Sequence, residues 1–248
     1  MRNSVELTLA RLAFRQLTAS RRSLWAVLLA ALPVLIALPM GADASGAADA
    51  AGDFWGLYQM LIVAVLLPIV ALVVGTGVFG AEVEDGTLTY VLGKPVARWR
   101  MVLTRIVVAG TATAVVLAPA TYFSGWIALR AYPPQGGMLG ACTAAVVIGG
   151  FLYCALFVAL SLSTRRALMA GLGYVVLWEG LLSSGFGGSR ALSVRQYTLA
   201  FAEGMSTDST VSAQLEPGTA AVLATVVAVL AAVYAIRRLR RFEIGEAV

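Results

Sequence analysis

The residues able to act as acids, bases, nucleophiles or ligands are few, and most stand at spacings that serve no reaction. Glu82, Glu84 and Asp85 form the densest acidic cluster, Glu179 stands alone in an apolar stretch, and Cys142 and Cys154 lie twelve residues apart. On one helix that separation is roughly 18 Å, too far for a disulfide. The sequence holds no histidine, so the commonest general base near neutral pH and the commonest metal ligand are both missing. Ser-His-Asp hydrolases and zinc enzymes are disfavoured. Gly75, Gly77 and Gly80 form a G-x-G-x-x-G pattern, but they end an apolar run instead of opening a helix after a strand. Close helix packing explains them better than a dinucleotide. Gly93-Lys94 runs into Pro95, and Leu88 stands where the first glycine of a phosphate loop would be needed. The chain is therefore read as no enzyme, and any ATP hydrolysis belongs to another polypeptide.

Two of these features invite a functional reading. Glu179 lies about 18 Å along a helix from the end of its apolar stretch, where a carboxylate costs several kcal/mol unless neutralised, paired or wetted. It either faces a substrate path or sits hydrogen-bonded near an interface beside Trp178. The acidic cluster opens the segment FGAEVEDGTLTYVLGKPVARWRMVLTR. Its pattern suggests a short helix over 87–92, capped from outside by Asp85, with Leu88, Val91 and Leu92 on one side and Gly93 and Pro95 as the stop. Such an apolar face either fills a groove on a soluble partner or packs on neighbouring helices. Spacing alone favours the packing.

The elements that must carry these residues are membrane spans. Apolar residues make up 60% of the chain and charged residues 12%, with a mean hydropathy of +0.86, against roughly 45–50% and about 25% in soluble proteins. Runs long enough to cross about 30 Å of hydrocarbon fall at 24–40, 58–79, 102–129, 138–162, 168–182 and 219–236. The third is long enough to tilt, or to bend at Pro119. The net charge of +5 could suggest nucleic acid, but the charges sit in short loops, so no nucleic-acid partner is expected. Five Lys and Arg lie in 1–23, four in 80–105, Arg165 and Arg166 in one turn, and four after Ile236. The other side receives only Arg130, Arg190 and Arg195, and its first loop carries Asp43, Asp49 and Asp53. The positive-inside rule then puts both termini in the cytoplasm. Segment 1–23 aligns Arg11, Arg15, Thr18 and Arg22 on one stripe, as in an amphipathic helix lying on the inner leaflet. The alternatives are a solvated helix or, for the first forty residues, a cleaved signal peptide.

The expected fold is thus an all-α membrane protein: a single domain over 1–248 with six transmembrane helices, an N-terminal interfacial helix and a connection at 183–218 on the outer side. That connection mixes the glycine cluster Gly185 to Gly188 with a helix-compatible stretch at 191–203. The four arginines of the tail suit anionic headgroups. Arg outnumbers Lys seventeen to one, which hints at a bacterial genome rich in G and C.

Glu82, Gly86, Thr87, Leu88, Leu92, Pro95, Val96 and Arg98 resemble the first cytoplasmic loop of type-2 ATP-binding-cassette (ABC) exporter permeases. That pattern is Glu, then Gly-Thr-Leu, a further Leu, and Pro-Val-x-Arg. Where the family usually continues with Gly-Lys, this chain has Thr104-Arg105. The basic start, the six-span plan and the long outer connection extend the resemblance over most of the chain. The subgroup it is most similar to is that of the permease serving nitrous-oxide reductase maturation. The resemblance implies an exporter in the bacterial inner membrane, built from two permeases, alike or related, and two ATPase subunits that hold the ATP and magnesium. It makes segment 81–100 a coupling loop, with Glu82, Glu84, Asp85, Gly86 and Thr87 as contacts and Leu88, Leu92, Pro95 and Arg98 shaping it. It leaves the substrate open. Two rivals are a secondary transporter or channel using Glu179 as its ion or proton site, which would want internal repeats, and a membrane-embedded enzyme, which would want a fuller polar cluster.

Overall fold

The computed structural model describes residues 21–84, 97–132, 137–164, 166–182 and 192–241. Among them there is no strand. Helix α1 spans Arg21–Asp43. Helix α2 is continuous from Ala47–Leu57 through a π-helical segment, Tyr58–Leu66, into Leu67–Glu84. Helices α3 and α4 span Arg98–Ala128 and Met138–Ser161. Helix α5 starts as Ala167–Gly173 and continues as a second π-helical segment, Tyr174–Leu182. Helix α6 is Val194–Met205 and α7 is Pro217–Arg241.

Each of the six apolar stretches lies on a helix. Within the described residues, four helices are long and apolar enough to cross a membrane: Ala47–Gly77, Arg98–Ala128, Met138–Ser161 and Pro217–Leu239. Leu28–Met40 in α1 and Ala167–Glu179 in α5 are shorter apolar helices. The largest departure from the sequence expectation is in α2, which begins at Ala47 rather than Tyr58. Asp49 and Asp53 interrupt the apolar run there, yet Ala50, Phe54, Trp55 and Leu57 are buried. One buried face suffices to extend the helix, and Ser45 donates a hydrogen bond to Asp49 at its start. Helix α3 runs on through Pro119 rather than stopping at it.

Helix α4 is the centre of the bundle, packed by α3, α2, α6 and α7. Small residues let backbones approach. A Cβ on Gly110 of α3 would strike the Phe151 ring of α4, one on Gly171 of α5 would strike Leu72 of α2, and one on Gly149 of α4 would strike Thr198 of α6. In the G-x-G-x-x-G stretch, a Cβ on Gly75 would come within 3.0 Å of the Phe157 Cβ of α4, whereas one on Gly77 would meet open space. Packing thus accounts for the first of these glycines. Hydroxyls in this apolar interior bond back to their own helices, Thr76 to the Leu72 carbonyl, Thr121 to Leu117 and Ser161 to Val158, because a buried hydroxyl needs a partner and its own helix supplies the nearest carbonyl. The outward stripe of α3 carries Leu103, Val107, Val115, Tyr122 and Trp126, and α7 exposes Val222, Val226, Val229, Leu230 and Val233. Apolar surface on this scale suits lipid better than water.

Candidate functional site

The polar centre of the bundle forms where α5 meets α6. Glu179, on the π-helical part of α5, is 3% exposed. Its carboxyl accepts hydrogen bonds from the Val194 N–H at 3.0 Å, from the Ser193 hydroxyl and, at a longer 3.4 Å, from the Tyr174 hydroxyl. Ser193 is the N-cap of α6, and its hydroxyl oxygen also accepts from the Gln196 N–H at 3.3 Å. Glu179 therefore sits on the first turn of α6, where unpaired N–H groups and the helix dipole favour an acidic group. One residue earlier, Trp178 Nε1 donates to the Leu192 carbonyl at 3.2 Å.

The same turn reaches the other π-helical segment. Arg195 donates from its guanidinium to the Gln59 carbonyl in α2 at 3.5 Å. A π turn replaces the i→i+4 ladder with i→i+5 bonds, which leaves room for outside donors to reach its carbonyls. Tyr153 of α4 is fully buried beside Glu179 and Arg195, and its hydroxyl makes no hydrogen bond of good geometry among the described residues. Arg195 Nε and the Gln196 side-chain oxygen are likewise buried without a partner there. Tyr153 stacks on Phe157 at 5.8 Å, and Phe157 meets Tyr174 edge-on at 6.3 Å, so an aromatic floor underlies the cluster.

Of the residues singled out in the sequence, Glu179 falls in this cluster, beside Trp178 and hydrogen-bonded. Tyr153, Tyr174, Ser193 and Arg195 join it without having been singled out. A signal for Ser193 exists, since Ser193-Val-Arg-Gln196 is a Ser-x-x-Gln capping box. Only half of that box forms. Ser193 receives the Gln196 N–H, while the Gln196 side-chain oxygen makes no hydrogen bond among the described residues and Glu179 reaches in from α5.

Glu82 and Glu84 fall on the last turns of α2, which ends at Glu84, with side chains outside the described set. Asp85, Gly86, Thr87, Leu88, Leu92 and Pro95, the short helix expected over 87–92 and the segment 1–20 also lie outside the described residues. Arg98 opens α3, half-buried, after the extended N-cap Ala97. Helix α2 connects the two regions, running from Gln59, whose carbonyl Arg195 reaches, to Glu84 before the loop.

A model of the family described as ABC-2 family transporter protein matches residues 7–185. This stretch includes the acidic loop and Glu179 and ends before α6. Comparison with curated proteins yields no match. Members of the family are membrane subunits, generally without enzymatic activity, and typically work with an ABC ATPase. The match covers well over half of the chain, and with several helices of membrane-crossing length it describes a multi-pass membrane protein: the chain belongs to the ABC-2 family of transporter proteins.

Proposed function

We propose that this protein is the membrane permease subunit of an ATP-driven ABC exporter, with six spans and both termini in the cytoplasm of a bacterium. The observation that carries this reading is the family match over 7–185, which encloses the Glu82-to-Arg98 pattern. Two ATPase subunits, holding ATP and magnesium, would serve two permeases, alike or related. Glu82, Glu84, Asp85, Gly86 and Thr87 would meet the ATPase, and Leu88 and Leu92 would fill its groove. Closure of the ATPases would push this loop against the end of α2. The push has a route into the bundle, since α2 packs on α4 through Gly75 and on α5 through Leu72 against Gly171. The excess of Lys and Arg in the segments before α1, between α2 and α3, between α4 and α5, and after α7 supports the orientation. The subgroup serving nitrous-oxide reductase maturation rests on sequence resemblance alone. Proteoliposomes holding the full chain with its ATPase subunit test the reading. Leu88→Asp and Leu92→Asp are expected to abolish both stable association and permease-dependent ATPase activity, with Gly77→Ala, in open space, as the unaffected control. Unchanged association and activity in both Asp variants would refute the coupling role.

A further inference from the structure

The first turn of α6 gathers contacts from three other helices, and Glu179 is the group that fixes it. We propose that Glu179 is a positioning residue, a latch that fastens the start of α6 to α5 and so sets where α6 begins. Its carboxyl receives the Val194 N–H and the Ser193 hydroxyl, giving acceptors to a first turn in which the Gln196 side-chain oxygen makes no hydrogen bond among the described residues. Trp178 holds the Leu192 carbonyl alongside, and the chain between the two halves of the latch, 183–191, is rich in glycine. Farther along, Thr198 lies so close to Gly149 that no side chain fits between α6 and α4. A second tie, Arg195 to the Gln59 carbonyl, joins the same turn to α2. Both π-helical segments among the described residues are thus tied to one turn of α6. Without the latch that turn loses its N-terminal acceptor and its seat.

The test is hydrogen exchange on the full chain in lipid nanodiscs. Amides of Val194 to Tyr197 are expected to exchange about tenfold faster in Glu179→Ala than in the wild type, the factor expected from losing a helix N-cap, while α4 amides stay protected. Glu179→Gln, which keeps an acceptor oxygen, is expected to fall between and serves if Glu179→Ala does not fold. Equal exchange in Glu179→Ala, or in Glu179→Gln where that variant serves, would overturn the latch. The readout involves neither an ATPase nor a substrate. Failure here leaves the permease reading intact, and failure of ATPase association leaves the latch intact.

Discussion

A carboxyl among apolar helices survives only if its desolvation is offset, and Glu179 is surrounded by donors. A polar group left without partners among apolar helices costs several kcal/mol, and the Val194 N–H and the Ser193 hydroxyl supply partners that reduce that cost. Tyr58 makes a simpler case, donating to the Cys142 carbonyl of α4 at 3.1 Å while fully buried. Tyr58→Phe keeps the ring contacts with Phe54 and Trp55 and is expected to cost about 1 kcal/mol, read as a lowered thermal midpoint in detergent. Cys142 and Cys154 are both buried, the latter in contact with the Thr113 hydroxyl at 3.3 Å. Maleimide is expected to label neither in the folded protein and both after denaturation. Ready labelling of the folded chain would contradict the central position of α4.

The packing of whole helices rests on glycines whose replacement has nowhere to go. Gly171→Leu is expected to drive α5 from α2 and Gly110→Leu to drive α3 from α4, each destabilising by about 1–3 kcal/mol, whereas Gly77→Ala should be silent in the same unfolding assay. Much of this level was legible in the sequence. Long apolar runs located α3, α4 and α7 to within a few residues, because lipid imposes one simple demand on every position. The early start of α2 was not legible, since Asp49 and Asp53 lower the hydropathy of a segment whose other face is buried. The π-helical segments were not legible either, because a widened turn answers to tertiary partners and leaves no periodic trace. Helix α6 carried a capping signature in Ser193 and Gln196. Its partner Glu179 stands fourteen residues from Ser193, and no spacing rule reveals where a glycine-rich connection returns.

At the scale of the molecule, a lipid-facing shell of α3 and α7 surrounds a bundle built on α4, and one helix, α2, links the loop after Glu84 to the polar turn of α6. The proposed export cycle uses that link, with force entering at the loop and leaving through α5 and α6. The most direct test of the exporter reading is ATPase activity in proteoliposomes that hold the ATPase subunit with either the wild-type chain or the Leu88→Asp chain. Permease-dependent hydrolysis with the wild type and its loss with Leu88→Asp, at equal amounts of folded protein, is the expected result. Equal hydrolysis with both chains, or none attributable to the wild type, would contradict it.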